Sequence, residues 1–148
     1  MLIGIDPLLG PGLLGALRAM GHGDEIVVAD ANFPAASVAA HTVLGEPLTI
    51  GASTPRAVEA VLSVMPLDSF VDHPVARMEV VGDSNAEPEV QAEVAALIRR
   101  IGAPGRIASI ERHAFYERAR EAFCVLQTTE RRFYGCIVLK KGVIGPDG

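Results

Sequence analysis

A chain of 148 residues with 49% apolar and 21% charged side chains can bury one full core, which excludes an intrinsically disordered segment. Its net charge is −5, and basic residues gather only as the pairs Arg99-Arg100, Arg131-Arg132 and Lys140-Lys141. Binding to nucleic acid rests on neutralising phosphates, so that class of partner is excluded as well.

The apolar N-terminus does not read as a secretory leader: no basic residue precedes Arg18, Asp6-Pro7 interrupts the run, and no small-residue cleavage site follows. No apolar run is long enough to span a bilayer, so a cytoplasmic chain without membrane contact is expected. Pro11 to Met20 predicts a helix. Leu13, Leu14, Leu17 and Met20 form one stripe, Pro11 suits the first turn and Gly21 the C-terminal cap. Ile26 to Ala29 is a continuous apolar run, as in a central strand buried on both faces. Thr54-Pro55 opens a second helix to about Met65, with Thr54 as N-cap. Val75 to Val81 is strand-like. Pro88 to Ile101 predicts a helix with the stripe Val90, Val94, Leu97, Ile98 and Ile101, stopped by Gly102. Arg106 to Ile110 predicts a strand, and Arg112 to Ala122 a helix. Phe123 to Thr128 and Tyr134 to Lys140 predict two strands joined closely, as in a hairpin. Strands and helices alternate, so the expected fold is α/β: a single-domain, three-layer α/β/α arrangement over residues 1–148 around a mostly parallel sheet, with the last two strands antiparallel.

Cys124 and Cys136 flank the expected hairpin, and cross-strand pairing is geometrically open to them. Two cysteines are too few for a disulfide framework, and reduced thiols are the simpler reading. Gly10-Pro11-Gly12-Leu13-Leu14-Gly15 matches G-x-G-x-x-G, with Asp30 following at a strand end. A dinucleotide site needs a strand running into the first glycine, and Pro7 is badly placed for one. No G-x-S-x-G is present. His22, His41, His73 and His113 form no close pair, so no metal is expected.

The stretch Gly21-His22-Gly23-Asp24-Glu25-Ile26-Val27-Val28-Ala29-Asp30 sets ionisable groups at both ends of an apolar strand. Buried charge is costly unless paired or used. His22 lies at a helix C-terminus, where the dipole favours the imidazolium. Its plainer reading is a half-solvated capping side chain. Flanking glycines leave room beside the ring, and ligands gather at the carboxyl ends of strands in α/β sheets. His22 and Asp30 are therefore expected on one rim, as proton carrier and hydrogen-bond acceptor. Asp30 and Asn32 would otherwise only cap the turn before Pro34. Arg112, after a strand and opening a helix, reads as a surface ion pair or a second rim group. Tyr134, before the last strand, reads as sheet-end packing or a lining residue.

Taken together, Gly21-His22-Gly23-Asp24-Glu25-Ile26 with Asp30-Ala31-Asn32-Phe33-Pro34, Phe115-Tyr116-Glu117-Arg118-Ala119, and Tyr134-Gly135 with Leu139-Lys140-Lys141-Gly142-Val143 resemble the D-ribose pyranase and L-fucose mutarotase family, nearer its fucose branch. The resemblance implies a ring-like homo-oligomer, often a decamer, with a sugar site completed by neighbouring subunits. It implies His22 as proton donor, Asp30 and Arg112 on sugar hydroxyls, and Tyr134 and the backbone beside it closing the site through Gly135 and Cys136, with Tyr116 as a further contact. Family members usually carry Asn at the position of Cys136, and the fucose branch often carries His at that of Asn32. Both differences bear on which sugar fits rather than on the reaction.

The chemistry suits these residues. A cyclic sugar changes anomer by opening to the aldehyde and closing on the other face, which needs proton transfers but no cofactor. Positioned acid–base catalysis contributes roughly 10²–10⁴-fold. The expected function is a monosaccharide mutarotase acting on L-fucose or a related sugar. The alternatives are a non-catalytic sugar-binding module accessory to uptake or sensing, and the nucleotide site of the glycine motif.

Overall fold

The computed structural model describes residues 1–147. In chain order its elements are α1 (Pro11–Ala19), β1 (Glu25–Ala29), α2 (Ala35–Ala39), β2 (Leu48–Thr49), α3 (Thr54–Leu62), β3 (Val75–Met78), α4 (Glu89–Arg100), β4 (Ile107–Ile110), α5 (Arg112–Glu121), β5 (Cys124–Gln127) and β6 (Ile137–Lys140). The strands form one sheet in the order β2-β5-β1-β6-β3-β4. All run parallel except β6, which lies antiparallel between β1 and β3.

Burial follows from alternation along each strand. Ile26 and Val28 of β1 face one side, where α1, α3 and α4 pack with Leu13, Leu17, Val58, Val61, Val94 and Leu97. Val27 and Ala29 face the other, covered by α2 and α5 through Val38, Phe115 and Ala119. β1 is thus buried on both faces, and each of its Val or Ile side chains contributes about 1.5–3 kcal/mol of apolar transfer. The α4 stripe packs as expected through Val90, Val94, Leu97 and Ile98, but Ile101 is exposed because it is the C-cap residue, past the last packed turn. Gly102 follows at φ +66°, and the amides of Gly102 and Ala103 close the helix onto Arg99 O and Ile98 O.

Two expectations change, the hairpin and the N-cap of α3. β5 and β6 do run in opposite directions, but β1 lies between them, so residues 128–136 cross over the end of β1 and form no hairpin. Cys124 and Cys136 are consequently free and belong to opposite faces of the sheet. Ser53, not Thr54, is the N-cap of α3; Thr54 is fully buried, and its hydroxyl is used elsewhere. No strand precedes Gly10, which is the N-cap of α1, so the glycine motif lacks the strand that a dinucleotide site requires. No helix is long and apolar enough to cross a membrane among the described residues.

Candidate functional site

The five parallel strands point their carboxyl ends to one rim, and β6 begins there. A cleft of about 370 Å³ opens at this rim on the α2/α5 side, lined by Asp30, Asn32, Phe33, Met78, Arg112, Tyr116, Phe133, Tyr134 and Cys136. Its size falls at the lower end of ordinary ligand clefts. Asp30 leaves β1 with its side chain buried. One carboxylate oxygen accepts the Asn32 amide at 2.9 Å, and the other accepts the Cys136 thiol at 3.4 Å. A carboxylate offers about four lone-pair sites, so Asp30 keeps acceptor capacity for a ligand. Burial, and then the Asp30 charge, push the Cys136 thiol well above its ordinary pKa, so it stays a neutral donor.

Arg112 is the first residue of α5, whose N-cap Glu111 accepts the amides of His113 at 2.8 Å and Ala114 at 3.1 Å. Those amides hold the Glu111 carboxyl below its usual range. The Arg112 guanidinium forms no ion pair among the described residues, which leaves its fork of donors at the cleft mouth. Phe33 and Tyr116 stack at 5.4 Å and form an aromatic wall.

The opposite wall is the crossover before β6. Tyr134 adopts φ +62°, a left-handed backbone unusual for a side chain of this size. Its hydroxyl accepts the Val81 amide at 3.2 Å. Gly135 follows in a tight space: a Cβ there would sit 2.9 Å from Glu130 Cγ, 3.1 Å from Thr54 Oγ1 and 3.4 Å from Asp30 Cβ. The Thr54 hydroxyl donates to Gly135 O at 2.8 Å. Buried Glu130 accepts from Thr54 N and from Arg132, and the Arg132 guanidinium, foremost, holds its carboxyl below the usual range. Asp30, Arg112, Tyr116, Tyr134 and Cys136 thus line one cleft, and Gly135 lies behind it between Tyr134 and Cys136.

His22 does not join them. It precedes β1, whereas Asp30 follows it, so the two lie at opposite rims, about 17 Å apart for a five-residue strand. The expectation of one shared rim fails because a strand carries its two ends to opposite edges of the sheet. At its own rim His22 Nε2 lies 3.1 Å from Asp68 Oδ1 and packs edge-on against Phe70 at 5.6 Å. Asp68 is buried and also accepts the Phe70 amide at 3.0 Å. That amide, and then His22, hold its carboxyl below the usual range. Asp68 therefore favours the tautomer with the proton on Nε2 and leaves Nδ1 as the free nitrogen. Sequence reasoning missed Asp68, Thr54, Gln91 and Glu130. The only signal for them is a polar residue inside an otherwise apolar or loop stretch, and its meaning emerges with burial.

A family model described as the RbsD / FucU transport protein family matches residues 3–144. The chain is 44% identical to the fucose mutarotase of Homo sapiens over 144 residues, which cover 95% of this chain and 93% of that protein. It is 38% identical to the L-fucose mutarotase of Actinobacillus pleuropneumoniae, with 97% of each covered. The crystal structure of the Streptococcus pneumoniae fucose mutarotase in complex with L-fucose superposes with a TM-score of 0.85 at 37% identity, covering 97% of this chain and 100% of that one.

Proposed function

The chain belongs to the RbsD / FucU transport protein family, and on that premise we propose that it is a cofactor-independent mutarotase interconverting the anomers of L-fucose or a closely related monosaccharide. The observation that carries this reading is the convergence of Asp30, Arg112, Tyr116 and Tyr134 on one cleft of monosaccharide scale. Asp30 accepts from sugar hydroxyls, and Arg112 donates to neighbouring oxygens. Phe33, Tyr116 and Phe133 cover the C–H faces of the ring, and Tyr134, Gly135 and Cys136 close the far side. Residues 1–148 act as one sugar-binding domain.

His22 of a neighbouring subunit completes the cleft, because within one chain it stands at the far rim. The chain works as a ring-like homo-oligomer, a decamer in the cytoplasm. In the reaction the imidazole Nδ1 takes the proton from the anomeric hydroxyl. The C1–O5 bond breaks with its electron pair going to O5, which takes the proton from the His22 imidazolium so formed, and the open aldehyde results with the imidazole neutral again. Rotation about C1–C2 and the reverse steps give the other anomer. Asp68 keeps the imidazole oriented.

Saturation-transfer NMR on the anomeric protons of L-fucose, with D-ribose and D-galactose in parallel, tests this. Catalytic amounts of protein should accelerate exchange, and His22→Ala should abolish the acceleration while sugar still binds. Mixing His22→Ala with Asp30→Ala subunits should restore part of it, since hybrid rings contain intact pairs. Binding without acceleration in the unaltered protein would leave a sugar-binding module. Acceleration with no rescue in hybrids would place His22 and Asp30 in separate sites.

A further inference from the structure

α4 packs on the face of the sheet away from the cleft, and its inward residues are apolar except one. Gln91 is 2% exposed, and its whole amide is engaged. Nε2 donates to Met78 O at 2.7 Å and to Tyr134 O at 2.9 Å, while Oε1 accepts from Arg77 at 2.6 Å. Both carbonyls belong to residues that line the cleft.

The position of these bonds in the sheet gives them their meaning. The β3–β6 ladder runs from Val75↔Leu139 to Arg77↔Ile137 and stops there. One more bond follows, from Met78 N to Cys136 O at 3.2 Å. The carbonyl of Met78 does not continue the ladder but takes the Gln91 amide. That side chain stands where a further rung from β6 would form, so β6 and the residues before it are free to diverge from β3. The divergence opens the cleft between Met78 and Tyr134. The same amide group draws the Tyr134 carbonyl inward, which stabilises the left-handed backbone at φ +62°. A left-handed conformation at a non-glycine residue persists only where its surroundings over-determine it. Arg77 completes the device. It is held by Ser109 Oγ at 2.9 Å and Ala86 O at 2.8 Å, and by donating to Oε1 it fixes which end of the Gln91 amide faces the carbonyls.

We propose that Gln91, oriented by Arg77, is a positioning residue of the sugar site: it ends the β3–β6 ladder and sets Tyr134 in the backbone conformation that shapes the cleft wall. It touches no sugar itself. The assignment rests on the cleft being the sugar site.

Three variants test it by anomer-exchange kinetics and sugar titration, well below their melting temperatures. Gln91→Met keeps the volume and removes both donors. KM and Kd for L-fucose should rise about tenfold, the effect of a lost hydrogen bond of ordinary strength, with kcat within about twofold. Val94→Ala, in the same helix and equally buried, serves as a control that loosens the core. It should lower the melting temperature and leave KM unchanged. Should Gln91→Met fold poorly, Arg77→Met asks the same question from outside the core, and Arg77→Lys, which keeps a donor, should recover most of the loss. Unchanged KM in Gln91→Met or Arg77→Met, or equal KM shifts in Val94→Ala, would overturn the assignment. Failure of the sugar reading looks different: the unaltered protein would then neither bind nor interconvert any sugar tested.

Discussion

Gly135→Ala is a one-carbon perturbation at the tightest point beside the cleft. The added methyl would lie 2.9 Å from Glu130 Cγ, 3.1 Å from Thr54 Oγ1 and 3.4 Å from Asp30 Cβ. Carbon pairs rest at about 3.5–4.0 Å, so at least half an ångström must be found on the Glu130 side. Glu130 gives way poorly, because Arg132 grips its carboxylate at 3.0 and 2.9 Å and its side chain is buried. Thr54 is fully buried and tied to Gly135 O and to Thr128. The strain therefore falls on residues 134–136 and on Asp30. Overpacking of this kind costs about 1–3 kcal/mol. For a chain of this length that lowers the melting temperature by about 3–9 °C. Because Asp30 and Tyr134 both shift, sugar affinity should fall as well, by about tenfold or more, since displacements of this order are costly to bound geometry. Calorimetry and L-fucose titration measure the two effects. A melting temperature within about 1 °C of the unaltered protein, with unchanged affinity, would show that the crossover is compliant and refute the reasoning.

Two further outcomes concern ionisable groups held away from their ordinary titration ranges. Burial alone would raise the Glu25 carboxyl, but Arg118 (2.7 and 2.9 Å) and Lys140 (3.2 Å) outweigh it and hold it low. A depressed folded-state pKa contributes stability above the unfolded value, near 4.5, that is lost as pH falls through the folded one. Glu25→Gln should cost about 1–3 kcal/mol at pH 7 and flatten the acid limb below about pH 4.5, read from urea midpoints against pH; an unchanged acid limb would contradict this. Burial, and secondarily Asp24, push the Cys124 thiol up to about 12, and Cys136 is likewise raised. Neither thiol should react with a disulfide reagent at pH 8 until the protein unfolds, and rapid labelling of the native protein would contradict the described burial.

The elements legible in the sequence are those whose signal is local and long. α4 declares itself by four buried positions at helical spacing and a glycine stop, and β1 by an unbroken apolar run. α2 and β2 escape notice because five and two residues are too few to establish a period. The false hairpin has another cause. Phe123–Thr128 and Tyr134–Lys140 are both strand-like and close in sequence, yet which strand lies between them depends on β1, a hundred residues earlier. For the site, Asp30, Arg112 and Tyr134 can be found because each adjoins a strand end at the carboxyl rim. The role of Asp68 depends on a loop bringing it to His22, and that of Gln91 on one polar position facing inward from an apolar helix.

β6 is the last strand in sequence and the fourth in space, and it alone joins β2-β5-β1 to β3-β4. Without residues 137–140 the sheet falls into two parallel halves that share no hydrogen-bonded edge. β1 and β3 would each present an open edge, and this one strand covers both. The cleft spans that seam, with Asp30 beyond β1 on one side and Met78 of β3 on the other, so its shape depends on β6 being in place.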